Sequence, residues 1–174
     1  MSNTRKFPIS LLVAAACLYL PRLAFSRDKL PSDAVANRVL VLKKERKLIL
    51  MQRGATLKTY NISLGSDPTG PKVREGDHKT PEGSYLLDRR NPHSKFYKSI
   101  HVSYPDAKDR ERAGHLGVSP GSDIFVHGLP NGYGWIGSSH RAKDWTDGCI
   151  AVTDDEIDEI WGAVPDGTPI EIRP

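Results

Sequence analysis

The sequence lacks most of the features that mark large or specialised proteins. Its 174 residues leave room for one ordinary domain with its own core, which excludes a multidomain machine. No long apolar run follows Pro21, so no transmembrane segment is predicted in the remainder of the chain. Hydrophobic residues reach 38% and charged residues 26%, which favours a folded domain over a disordered or collagen-like chain.

The sequence has little excess basic charge outside its N-terminal segment. Arg5 and Lys6 precede an uncharged run from Phe7 to Pro21, and Ala24-Phe25-Ser26 has the small-x-small pattern that signal peptidase recognises. We therefore predict that residues 1–26 are a secretory signal, that the protein is exported to the periplasm or cell envelope, and that no stable membrane insertion remains after cleavage. An uncleaved N-terminal anchor is the alternative, and it also implies export.

The exported part of the chain carries almost no net charge. Removing residues 1–26 takes away three basic residues and no acidic one, so 22 basic and 21 acidic residues remain. These charges are interspersed, and the basic face with interleaved aromatic residues that is typical of nucleic-acid binders is absent. We therefore expect no nucleic-acid partner.

Cysteine is scarce, and its scarcity is informative. Cys17 lies within the apolar segment and resembles a lipoprotein acylation site only weakly, because Ala14 stands where Leu is usual. After cleavage, Cys149 is the single thiol of a protein in a compartment where free thiols tend to oxidise. Either a catalytic nucleophile or a small buried apolar residue would explain it.

Motifs for metals and for serine hydrolases are absent or misleading. The sequence contains neither His-Glu-x-x-His nor Cys-x-x-Cys, so we predict no metal and no cofactor, with a convergence of His127, His140 and Cys149 on a metal as the alternative. Residues 117–121 match Gly-x-Ser-x-Gly, but a Pro and a Gly follow the Ser where a helix is required. A turn that leads into a strand is the better interpretation.

The patterning predicts a mainly β fold, a sandwich or barrel-like mixed sheet with one short C-terminal helix. Residues 27–37 are a polar lead-in, residues 38–174 form one domain, and residues 66–82 form a long turn-rich loop. A capping box at Thr153 with Glu156 begins the helix. The predicted strands are short and end at turn formers: 38–43, 47–52, 58–64, 83–87, 99–104, 123–127 and 169–172.

Two segments carry residues suited to acyl-transfer chemistry: Ile124 to Gly128 and Trp145 to Val152. A thiol attacks carbonyl groups as the thiolate, so Cys149 needs a neighbouring base, and His127 at a strand end is the candidate. This pairing predicts a Cys149 pKa below about 8.5, the value of a free thiol. Gly148 allows a sharp turn that would aim the N–H groups of Gly148 and Cys149 at a developing oxyanion.

These segments resemble the YkuD-type L,D-transpeptidases of bacterial cell walls, from about Arg38 to the C-terminus. The resemblance is carried by residues 76–83 (Gly76 through Thr-Pro-Glu-Gly), 119–128 (ending Val-His-Gly) and 146–150 (Thr-Asp-Gly-Cys-Ile). It implies a Cys149 acyl-enzyme, His127 as its base with the Gly128 carbonyl orienting the imidazole, no metal, and peptidoglycan stem peptides as substrate. We expect Thr146 and Asp147, which flank the nucleophile, to contact that substrate.

Two positions depart from the family pattern. Asp147 stands where the family usually has His, and Ala151 stands where it usually has Arg. The absent Arg removes a cation that could bind a substrate carboxylate. We expect His140 or Arg141, in the segment before Cys149, to supply what these positions lack.

The sequence therefore predicts an L,D-transpeptidase-type cysteine acyltransferase that acts on stem peptides. A related cysteine hydrolase, which cleaves a peptidoglycan cross-link or a protein–peptidoglycan bond, is the alternative within enzymes. A non-catalytic cell-wall-binding domain is the alternative of another class.

Overall fold

The computed structural model describes residues 29–174, so the predicted signal segment lies outside the described residues. Its strands are β1 (Arg38–Leu42), β2 (Lys47–Gln52), β3 (Ala55–Asn61), β4 (Gly83–Ser94), β5 (Tyr97–Val102), β6 (Ile124–His127), β7 (Ile150–Ala151) and β8 (Thr168–Arg173). The helices are α1 (Ala107–His115) and α2 (Asp154–Ala163), with a 3₁₀ segment at Gly134–Ala142. No helix among residues 29–174 is both long and apolar enough to cross a membrane.

All eight described strands form one mixed sheet in the order β3-β2-β1-β8-β4-β5-β6-β7. β1 runs parallel to β8 and β6 runs parallel to β7, while the other neighbours are antiparallel. The sheet curls, because Ser63, just after β3, bridges to Ala151 in β7 at the opposite edge. The mainly β, barrel-like mixed sheet predicted from the sequence is thereby confirmed.

The apolar side chains of the curled sheet and of α2 form one core. Thr153 and Glu156 make the predicted capping box, so α2 begins at Asp154 and its Ile157 and Ile160 pack against the sheet. The Ala36 N–H, in the lead-in segment, donates to the Ala163 carbonyl at the end of α2 (2.7 Å). The core therefore lies between α2 and the concave side of the sheet.

The prediction of a single helix was incomplete. Helix α1 begins with a capping box in which Asp106 accepts from the Asp109 N–H and Asp109 accepts from the Asp106 N–H. Only Asp109 and Ala113 of this helix are buried, so it lacks the apolar stripe by which α2 was found. Local capping and charge stabilise α1, and these features give a weaker sequence signal than hydrophobic periodicity.

A buried lysine holds the long loop at residues 66–82. Lys43, at the end of β1, is 2% exposed, and its ammonium donates to the Gly70 and Thr80 carbonyls and to Glu82. Three acceptors satisfy the three N–H groups, which offsets the cost of burying the charge. The loop is thereby fixed against the sheet, and sequence reasoning gave no role to this lysine.

Candidate active site

Strands β6 and β7 place His127 and Cys149 on the same side of the sheet. The parallel pairing sets Val126 opposite Ile150 and His127 opposite Ala151, so Cys149 lies in register with Phe125. Side chains alternate between the two faces of a strand. The positions that alternate with His127 and Cys149 point into the core: Ile124, Val126, Ile150 and Val152. His127 and Cys149 therefore project together from the face that does not enter the core.

His127 is held as a neutral imidazole. It is 3% exposed, and its Nδ1–H donates to the Gly128 carbonyl at 2.6 Å. Burial lowers the pKa of His127 to about 4, and the hydrogen bond to Gly128 opposes this shift only in part. A carbonyl only accepts, so the proton lies on Nδ1 and Nε2 carries a free lone pair. The rings of Phe96 (4.6 Å between centroids) and Trp145 (5.9 Å) enclose the imidazole.

Cys149 lies in a cleft of about 320 Å³ between the 66–82 loop and the turn before β6. Burial raises the pKa of Cys149 to about 11; the Phe125 backbone N–H opposes this shift, and the Asp147 carboxylate adds to it. The lowered pKa expected from the sequence is therefore contradicted, because desolvation of the thiolate outweighs its neighbours. The cleft is lined by Lys72, Glu75, Gly76, His78, Gly121, Ser122, Asp123, Ile124, Asp147 and Cys149.

These two pKa values predict a thiol–imidazole pair rather than a preformed thiolate–imidazolium pair. The rate at which iodoacetamide alkylates Cys149 should rise about tenfold per pH unit from pH 6 to above 9, because the thiolate fraction rises in that way below the pKa. Mass spectrometry of the Cys149 peptide gives the rate, and a free-cysteine peptide serves as the control. A rate that is constant between pH 6 and 8 would show a preformed ion pair instead.

The turn before Cys149 is fixed by Thr146. Its hydroxyl donates to the Cys149 carbonyl at 2.7 Å and accepts from the Gly148 N–H at 3.2 Å. Gly148 has a φ of +126°, and a Cβ there would lie 2.5 Å from the Lys79 carbonyl oxygen. Thr146 is 5% exposed and does not line the cleft. The Gly148 N–H is thus already engaged, which leaves the Cys149 N–H of the two donors that the sequence suggested.

Asp147 lies at the mouth of the cleft and pairs with a histidine from another loop. Its side chain is 91% exposed, and Oδ1 lies 2.8 Å from the Nδ1 of His78. The sequence analysis gave His78 no role. The sequence signal was the absence of the usual His at position 147. In the structure, His78 of the 66–82 loop places an imidazole beside that position.

His140 and Arg141 lie away from this cleft. His140 is buried, with Nδ1 3.3 Å from both the Ser63 hydroxyl and the Trp145 indole nitrogen, and it lines a separate apolar cavity. Burial lowers the pKa of His140 to about 4, and the Arg141 charge adds to the effect. Arg141 is ion-paired with Glu156 and lines a third cavity. Arg141 does not supply the missing cation at the cleft, because Glu156 at the start of α2 pairs with the guanidinium. His140 lies near position 151, since Ser63, which it contacts, bridges to Ala151, but its lowered pKa keeps it neutral.

Within residues 29–174, no group of three or more His, Cys, Asp or Glu side chains is arranged to hold a metal ion. Cys149 lines the cleft, His140 and Trp145 line the apolar cavity, and His127 lines neither of the two. The cleft therefore offers the Cys149 thiol, while the neutral imidazole of His127 lies on the adjacent strand, outside the residues that line the cleft.

The domain is a curled mixed sheet with a cysteine and a histidine on adjacent strands, and sequence comparison gives its family. The model of the YkuD family, the L,D-transpeptidase catalytic domain, matches residues 36–172. The chain belongs to this family. Over 141 residues it is 32% identical to "Putative L,D-transpeptidase YafK" of Escherichia coli. The matched region covers 75% of this chain and 50% of that protein. The chain thus spans about half the length of this curated relative.

Solved structures show the same fold. A crystal structure of helical cell shape determining protein Pgp2 from Campylobacter jejuni has a TM-score of 0.58 and 24% identity, and the match covers 81% of this chain and 48% of that one. An L,D-transpeptidase from Xylanimonas cellulosilytica has a TM-score of 0.52 and 16% identity, with 85% and 65% covered. At these identities the likeness extends to the fold alone.

Proposed function

We propose that this domain is a cysteine acyltransferase of the L,D-transpeptidase type that acts on peptidoglycan stem peptides. The observation that carries the proposal is that Cys149 lines an open cleft and that a neutral His127 lies on the adjacent strand, on the same face by strand alternation. Membership of the YkuD family and the likeness to YafK support the substrate class.

The reaction begins when a carbonyl next to a D-centre binds beside the thiol. Nε2 of His127 accepts the thiol proton as Sγ attacks, so the thiolate forms only in the presence of substrate. The Cys149 N–H donates to the developing oxyanion. The C–N bond then breaks, His127 returns the proton to the leaving amine, and a thioester remains on Cys149.

The acceptor of the acyl group decides between a transferase and a hydrolase. Attack by an amine gives a new amide bond, and attack by water gives a free carboxylate; in both cases His127 accepts the proton of the attacking group. His127 then returns this proton to Sγ as the C–S bond breaks, which regenerates the thiol. Both outcomes use the same residues, so the first half-reaction is common to the two enzymes.

Export is part of the proposal, because stem peptides lie outside the cytoplasmic membrane. The basic residues, uncharged run and small-x-small pattern of residues 1–26 support a secretory signal. We propose the periplasm or cell envelope as the site of action.

The test is incubation of the purified full chain with defined muropeptides, followed by mass spectrometry of products and protein. We expect a peptidoglycan-derived adduct on Cys149 and either a cross-linked or a hydrolysed product. Binding of muropeptides with neither adduct nor product would favour a non-catalytic wall-binding domain and contradict the proposal.

A further inference from the structure

The cleft that contains Cys149 holds a cation that the sequence analysis did not consider. Among the described residues that line it, only Lys72 carries a permanent positive charge. Arg141, expected to replace the absent Arg, is engaged by Glu156 in another cavity. Lys72 therefore occupies the place in which a cation could meet a substrate bound beside the thiol.

Lys72 is built into the loop rather than left on its surface. Its side chain is 5% exposed, and Nζ donates to Asp77 Oδ1 at 2.7 Å and to the Arg74 carbonyl at 3.1 Å. An ammonium group has three N–H donors, and the described residues supply acceptors for two of them. One donor of a buried charge is left for a ligand.

Asp77 holds Lys72 in position and neutralises its charge only in part. The Asp77 carboxylate also accepts from the N–H groups of Val73, Arg74 and Lys79. Burial alone would raise the pKa of Asp77, but these hydrogen bonds and the Lys72 ammonium lower it to about 2. Because four donors share one carboxylate, Asp77 holds the lysine in position and neutralises it only in part.

The cleft favours an anion at Lys72 and disfavours one at its rim. The lysine is close enough for its charge to lower the pKa of the Cys149 thiol, against the effect of burial. A Cβ on Gly121 would lie 3.4 Å from the Cε of Lys72, so the turn before β6 packs on the lysine stem. Glu75, Asp123 and Asp147 also line the cleft and repel any carboxylate that is not held at Lys72.

We propose that Lys72 binds a carboxylate of the substrate next to the carbonyl that Cys149 attacks. The domain then selects stem peptides in which this carboxylate is free over those in which it is amidated. This inference rests on the proposed function and names Lys72, rather than Arg141, as the cation that meets the substrate.

The experiment compares two muropeptides, one with the free carboxylate and one with the carboxamide at the same position. Wild type should prefer the carboxylate form by about 10- to 100-fold in kcat/KM, as a charge-assisted hydrogen bond to a buried cation requires. Lys72→Gln keeps N–H donors for Asp77 but lacks the charge. It should lose this preference, mainly through KM, and change the carboxamide form by less than about threefold.

Lys79→Met is the matched control. Lys79 lies in the same loop, but it pairs with Asp67, donates to the Thr69 carbonyl and does not line the cleft. We expect both substrates to be turned over at wild-type rates by this variant. Lys72→Arg, which keeps the charge, should restore part of the preference.

Equal losses on both substrates in Lys72→Gln would assign the lysine a purely structural role and overturn the inference, as would a wild type that does not distinguish the substrates. Binding to Cys149→Ala, measured by calorimetry with and without Lys72→Gln, needs no turnover. Weaker binding of the carboxylate form alone would support the role of Lys72 even if the proposed reaction failed. Unchanged binding of both forms would overturn it.

Discussion

Replacement of Cys149 by alanine should lower kcat by at least about 10³-fold, because no acyl-enzyme can form without the thiol. The melting temperature should fall by no more than about 4 °C, since a Cys to Ala change in a partly open cleft removes little buried volume. Turnover of a defined muropeptide and scanning calorimetry measure the two effects. Chemistry and folding should therefore separate at this position.

The other cysteine provides the control. Cys17 lies in the predicted signal segment, so Cys17→Ala should leave turnover of the full chain unchanged. A Cys149→Ala protein that retained activity within threefold of wild type would exclude the thiol as nucleophile. A loss of more than about 10 °C in melting temperature would instead show that Cys149 is a packing residue.

Replacement of Gly65 by alanine should lower the free energy of unfolding by about 2–4 kcal/mol and reduce turnover with it. The new Cβ would lie 2.1 Å from the His78 carbonyl oxygen and 3.1 Å from the Gly148 Cα. Both contacts are with backbone, so the 66–82 loop and the turn before Cys149 must each move away from residue 65. Denaturant unfolding at constant m-value measures the loss.

Gly162→Ala is the matched control for this glycine. Gly162 lies in α2, and a Cβ there meets nothing within 4 Å. Alanine should therefore leave stability unchanged or raise it by up to about 1 kcal/mol, through helix propensity. Equal stability of the two variants would contradict the close approach at Gly65.

Strands β1, β2 and β5 were predictable because their signals are local, whereas β7 was not predicted and β4 continues to Ser94, beyond the predicted end at residue 87. The alternation around β1, β2 and β5 and the capping box at Thr153 each depend on residues a few positions apart, and the structure places elements close to the predicted boundaries. Helix α1 was missed because it buries only two residues and has no apolar stripe. The order of the strands was not predicted, since the β1–β8 pairing joins residues from the two ends of the domain.

The sequence by itself determined the family of this protein and the residues proposed for its chemistry: Cys149, the strand-end His127 and the family motif around them. Only the tertiary structure decided their environment. Burial raises the pKa of Cys149 and lowers the pKa of His127, whereas an ion pair would shift each pKa the other way. Phe96, Trp145 and the 66–82 loop provide this burial. The tertiary structure also decides which cation lines the cleft, because Glu156 pairs with Arg141 elsewhere and Asp77 holds Lys72 at the cleft. Such electrostatic partnerships join residues that are distant in the chain, and no local pattern encodes them.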